Sequence, residues 1–151
     1  MVINSGSLVI NNEKVYVQGN ALVSTLLNDG VTHTGKLTVK TELDVEGKMD
    51  LLGAVTFDNQ GTTTVGGAFS VDPDATVTNS GVLKVGSIAA EGITITSTGT
   101  LEVGDGGGSI GTLAGTGSLK NSGVLSIATD TELAALENSG TLKLGDKKLT
   151  V

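Results

Sequence analysis

The sequence has no cysteine, no tryptophan and no arginine, and only one histidine and one proline. Without cysteine there is no disulfide framework and no thiolate metal site, so stability must come from packing and association. A single histidine, His33, cannot form a Ser-His-Asp triad or a two-histidine metal site within one chain. Aromatic residues make up 2%: Tyr16, Phe57 and Phe69. A globular core draws much of its buried area from large rings, so this core should be thin and aliphatic, as suits fibres and solenoids. All nine basic residues are lysines and the net charge is −7. With neither arginine forks nor aromatic platforms, no direct nucleic-acid partner is expected.

No apolar run reaches the length of a membrane span, so no membrane insertion is expected. The opening MVINSGSLVI lacks the basic start and apolar core of a signal peptide. Met1 therefore favours export by a route that needs no cleaved signal.

What the chain does have is alternation. From Lys36 to Leu51 it reads KLTVKTELDVEGKMDL. One parity carries Lys36, Thr38, Lys40, Glu42, Asp44, Glu46, Lys48 and Asp50, and the other is largely apolar from Leu37 to Leu51. That pattern is a strand with one wet face. At about 3.3 Å per residue it would span roughly 50 Å if straight, so it bends at Gly47 or belongs to something elongated.

It also has 23 glycines, read as tight turns that need positive φ. A pattern of apolar, three residues, Gly, one residue, apolar, one residue, apolar recurs around Gly6, Gly35, Gly47, Gly53, Gly81, Gly99, Gly123 and Gly140. At Gly67 the leading apolar residue is replaced by Thr63. Four copies share Asn-Ser-Gly, at Asn4, Asn79, Asn121 and Asn138, each followed by leucine two residues after the glycine. Asn bonds its own backbone two residues on, and glycine accepts left-handed φ. This is an internal repeat with a physical motive.

The repeat is uneven. Glycine spacings from Gly81 to Gly140 fit single solenoid coils, whereas the spacings between Gly35 and Gly81 are shorter than a coil. The two stretches are therefore expected to differ in architecture, with a soft boundary at Asp72-Pro73-Asp74. The expected organisation is an N-terminal attachment segment (1–30), a β-shaft (31–72) and β-solenoid-like repeats (73–151). Within the first, Asn20 to Gly30 reads either as a short helix or as further strand. The shaft's apolar face must meet another sheet or another copy of the chain, and threefold association satisfies that economically.

Residues 36–71 resemble the repetitive shafts of bacteriophage tail and head fibres, which are β-structured homotrimers. Residues 77–151, from VTNSGVLKV through LKNSGVLSI to LENSGTLKLGDKKLTV, are similar to the β-solenoid repeats of autotransporter passengers and of some phage tailspikes. The resemblance implies a structural or adhesive role outside the cytoplasm, most often on a virion.

Candidate sites each carry a plainer reading. Gly106 to Gly111 matches G-x-G-x-x-G, but no helix follows to present a dipole to phosphate, so a packed turn is expected. Asp72, Asp74 and Asp105 could hold Ca²⁺, yet turns attract aspartate without it. Glu42, Asp44 and Glu46 line one strand face at separations that suit glycoside hydrolysis, but no aromatic sugar platform lies nearby. A solvated face partly neutralised by Lys40 and Lys48 is expected instead. His33 would meet its copies on a trimer axis, or else stand in solvent. Thr129 to Glu132 has capping-box form and reads as a helical turn or as another coil.

The expectation is an all-β, elongated, repetitive protein, a trimeric β-fibre and/or β-solenoid, with no catalytic, cofactor or metal residues. Its role would be that of a non-enzymatic virion fibre, spike or capsid decoration contacting other capsid or tail proteins. The alternative is a β-solenoid subunit of a bacterial surface filament or adhesin.

Overall fold

A computed structural model describes residues 2–3, 6–10, 14–24 and 35–151. The strands begin with β1 (Val2–Ile3), β2 (Gly6–Ile10), β3 (Lys14–Val17), β4 (Ala21–Ser24), β5 (Gly35–Val39) and β6 (Glu42–Val45). There follow β7 (Met49–Leu52), β8 (Thr56–Asn59), β9 (Thr62–Val71), β10 (Thr76–Asn79), β11 (Val82–Ser97) and β12 (Thr100–Ala114). The last are β13 (Ser118–Asn121), β14 (Val124–Ile127), β15 (Thr131–Glu132), β16 (Ala135–Asn138), β17 (Thr141–Lys143) and β18 (Leu149–Thr150). There is no helix among the described residues.

Every ladder is parallel, and each strand pairs with the strand one coil away, which makes the chain an all-β β-solenoid. Each coil visits three faces in turn. The first face stacks β2, β5, β8, β10 and the end of β11, which pairs on to the end of β12. The second stacks β3, β6, the starts of β9, β11 and β12, then β13 and β16. The third stacks β1, β4, β7, the end of β9, the middles of β11 and β12, then β14 and β17. The long strands β9, β11 and β12 thus each turn at least one corner.

Alternation explains the core, because successive residues of a strand point to opposite sides. On the first face Leu37, Phe57, Val77, Ile95 and Leu113 stack inward, all buried. Leu43, Leu83, Leu101 and Leu119 do so on the second face, and Met49, Phe69 and Ile88 on the third. The rings of Phe57 and Phe69, from different faces, meet across the interior at 5.7 Å and 55°. The apolar parity is therefore covered by the other faces of its own coil.

Several expectations are corrected. The run from Lys36 to Leu51 is not one strand. It is β5, β6 and β7, bending at Lys40-Thr41 as well as around Gly47. Its inward residues Leu37, Val39, Leu43, Val45, Met49 and Leu51 are fully buried, and of its polar parity only Thr38 joins them.

The expected change of architecture near Pro73 is absent from the pairing, since β8 pairs with β10 and β9 with β11 across it. The reason is geometric. A coil is counted from a residue to its register partner: 20 residues from Phe57 to Val77, 18 from Val77 to Ile95, 17 from Leu125 to Leu142. Gly47 and Gly53 mark two corners of one coil, and Gly67 stands one coil on at the same corner as Gly47, whose carbonyl accepts its amide at 2.9 Å.

The helical reading of Asn20 to Gly30 gives way over β4, where Ala21 and Val23 are buried with period two and not period 3.6. Residues 25–30 of that reading lie outside the described residues. Thr129 to Glu132 is another coil, with Thr131 and Glu132 in β15 paired to β18.

Candidate functional site: corner ladders and outward faces

The repeated tripeptide builds corners. At Asn79-Ser80-Gly81 the amides of Ser80 and Gly81 both donate to the Asn59 carbonyl one coil earlier, at 2.8 and 3.2 Å. Thr98 and Gly99 do the same to the Asn79 carbonyl, and Ser139 and Gly140 to the Asn121 carbonyl. Asn79 turns from the first face to the second, whereas Asn121 and Asn138 turn from the second to the third. One tripeptide serves two different corners.

The asparagine side chains point inward and stack. Thr63 Oγ1 donates to Asn59 Oδ1, Asn59 Nδ2 to Asn79 Oδ1, and Asn79 Nδ2 to Ser97 Oγ, all at 2.7–3.0 Å and buried. At the other corner Asn121 Nδ2 donates to Asn138 Oδ1 at 2.8 Å. Asn121 Oδ1 is buried without a partner, because the residue in register on the preceding coil is Val103, which has no side-chain donor.

The expected role of the Asn-Ser-Gly glycines is corrected here. Positive φ occurs at Gly19, Gly53, Gly92, Gly107, Gly108, Gly115 and Gly145, and not at Gly81, Gly99, Gly123 or Gly140. A Cβ on Gly99 would strike the carbonyl oxygen of Gly81, and one on Gly140 that of Gly123. Glycine is needed at these corners for clearance against the coil beneath.

The outward sides of the three faces differ. On the second face Lys84, Glu102, Lys120 and Glu137 succeed one another in register. Lys84 pairs with Glu102 at 3.6 Å and Lys120 with Glu137 at 3.0 Å. The hydrogen bond from Lys120 to Glu137 raises the lysine's pKa above its ordinary 10.5, and Glu102 adds attraction at longer range. This alternation was visible in the sequence as charges of opposite sign spaced by 18, 18 and 17 residues. Earlier on the same face, Lys14 lies 2.8 Å from Glu42 and 3.2 Å from Asp44, and its pKa is likewise raised, first by the bond to Glu42. Tyr16 donates to Glu46. Two of the acidic trio, Glu42 and Asp44, thus pair with Lys14 of the preceding coil, while Lys48 pairs with Asp50.

The remaining sequence candidates separate. Gly106 to Gly111 lies within β12, and Gly108 packs against the Ile88 backbone, so this stretch forms a packed coil. Asp72 Oδ2 accepts the Gly53 amide at 3.0 Å, and Asp72 and Asp74 stand at a different corner from Asp105. His33 lies outside the described residues. Among the described residues, no group of three or more His, Cys, Asp or Glu is placed to hold a metal ion.

No known protein family, curated protein or solved structure matches the chain. A groove of about 500 Å³ runs past Glu91, Ser109, Ser126, Lys143 and Lys147. Ser109 already donates to Glu91 at 2.8 Å there. No aromatic residue lines the groove, and its two carboxylates already have partners: Glu91 accepts from Ser109, and Asp146 lies 3.2 Å from Lys147.

Proposed function

We propose that this chain is a non-enzymatic structural rod that extends or stabilises a surface assembly, in the first instance a virion fibre, spike or capsid decoration. The observation that carries this reading is the closed, single-chain stack. Its aliphatic interior is buried coil by coil, and its corners are tied by buried side-chain ladders. On its second face Glu42, Glu102 and Glu137 each pair with a lysine one coil away. Solenoids of this kind gain length by adding similar units, each contacting only its neighbours.

The homotrimer expected from the sequence becomes an association of three closed rods. It is no longer needed to hide the apolar parity. Other virion structural proteins are the proposed partners, with no part for nucleic acid, cofactor or membrane insertion, and the virion is the proposed location.

The second reading is a subunit of a bacterial surface filament or adhesin. It is favoured by β16 and β17, each with one strand neighbour, and by the half-buried Leu136 and Leu142 on them. Such edges template a further strand.

Light scattering over a hundredfold range of concentration separates the readings. A fixed mass of three protomers supports the virion rod. Mass that grows with concentration supports the filament and overturns the first choice. A fixed monomer removes both assemblies and leaves a solitary rod.

A further inference from the structure

The outward side of the first face carries a lattice of threonines. Thr56 is in register with Thr76 and Thr94 with Thr112, and the pairing of Val77 with Ile95 brings the two pairs into one column. Thr78 and Thr96 are in register two residues further along, between Asp58 on one side and Ala114 on the other. Thr76, Thr94 and Thr96 are exposed and Thr56, Thr78 and Thr112 half-buried. Phe57, Val77, Ile95 and Leu113 between them are buried, so the pleat fixes the threonines outward.

Parallel pairing sets the mesh at about 4.7–4.9 Å between coils and about 6.5–7 Å between alternate residues. Threonine is stiff at χ1, so methyl and hydroxyl repeat with little freedom to lose on contact. The face differs from the second in charge. In these four coils it bears one ionisable group, Asp58, whose carboxylate accepts from Thr78 Oγ1 at 3.0 Å and from Gln60 Nε2 at 2.7 Å.

A periodic, nearly uncharged mesh of methyl and hydroxyl groups fits a ligand that is itself periodic and rich in hydrogen bonds. Crystalline sugars would want aromatic platforms, and a protein partner would want a large anchoring side chain. Neither is present on this face. We propose that the threonine face binds the surface of an ice crystal, whose oxygen rows repeat on a mesh of similar size. Hydroxyls would join the lattice, and methyls would seat in the gaps between its oxygens. This activity stands apart from the proposed structural role, and neither depends on the other.

The experiment is ice growth in solutions of the purified 151-residue chain, read as thermal hysteresis, crystal faceting and partition into a growing ice front. The expected result is hysteresis that rises with concentration. The double variant Thr94→Lys/Thr96→Lys should lose it while keeping the wild-type circular dichroism and urea midpoint. Thr94→Ser, which keeps the hydroxyl and drops the methyl, should lose it in part. Thr64→Lys, on the second face, should keep it. Absence of hysteresis at millimolar wild-type protein overturns the proposal. So does equal loss in Thr64→Lys, or retention of the chain by crystalline cellulose or chitin but not by ice.

Discussion

Asn59 donates from its side-chain amide to the side-chain oxygen of Asn79, 2.7 Å away, and both residues are buried. Their backbones lie in register one coil apart, so the bond runs along the rod and ties neighbouring corners. Asn79 passes the chain of bonds on to Ser97 Oγ and to the Thr100 carbonyl.

Asn79→Ala should therefore destabilise the protein by about 2–4 kcal/mol, since it leaves buried donors and acceptors on both neighbouring coils unpaired. Asn138→Ala, at the exposed end of the other ladder, should cost less than about 1 kcal/mol. Urea unfolding of both variants is the check. Equal costs would mean that the ladder adds nothing at its centre.

Gly99 and Gly92 should respond to substitution for opposite reasons. Gly99→Ala pushes a methyl into the Gly81 carbonyl and should cost about 3 kcal/mol, with Gly99→Asn worse. Gly92 has φ +75° and open space, so Gly92→Ala should cost about 1–2 kcal/mol from backbone conformation. Gly92→Asn should recover part of that, because asparagine visits the left-handed region. If asparagine rescues Gly99 instead, the clearance argument is wrong.

Phe57→Ala removes a ring at 0% exposure that meets Phe69 across the interior. A loss of about 3–5 kcal/mol is expected, measurable by the shift of the urea midpoint at unchanged slope. A cost near zero would mean that neighbouring coils collapse into the space.

Alkaline pH should weaken the fold through the second face. Lys14 and Lys120 have pKa values raised in the folded state, by Glu42 and by Glu137 first. The folded chain thus holds these protons more tightly than the unfolded chain. Their contribution is complete below the ordinary lysine value of 10.5 and is lost as pH rises through the folded values. Thermal melts between neutral pH and pH 11 should fall less steeply for Lys120→Met than for wild type. High salt should shrink the difference, since both lysines are exposed. A variant curve parallel to wild type would remove this pair from the account.

Much of the fold could be read from residue type alone. The alternation from Lys36 to Leu51 located six fully buried core residues, because period two survives a corner when the step between the inward residues on either side is even, as from Val39 to Leu43 and from Val45 to Met49. The Asn-Ser-Gly copies at Asn79, Asn121 and Asn138 marked real corners, and Asn4 and Ser5 of the first copy lie outside the described residues. What could not be read was which corner. Asn79 and Asn121 are each followed by Ser-Gly-Val-Leu but turn between different pairs of faces, which the register of adjacent coils reveals. The glycine spacings misled for the same cause, since Gly47 and Gly53 belong to successive corners of a single coil. The outward faces were legible in principle, as opposite charges about 18 residues apart and as threonines at Thr76, Thr94 and Thr112. That periodicity emerges only once the coil length is known.

The register steps carry one last consequence. From Phe57 onward each pairing joins residues 17 to 20 positions apart, so no contact waits on a distant part of the chain. Once a first pair of coils has nucleated, every later coil finds its template already laid and adds to it in turn. Such a chain can fold progressively as it emerges from a ribosome or an export channel. Pulled from one end, it would be expected to yield in steps of one coil, as a zipper does, and not to rupture all at once.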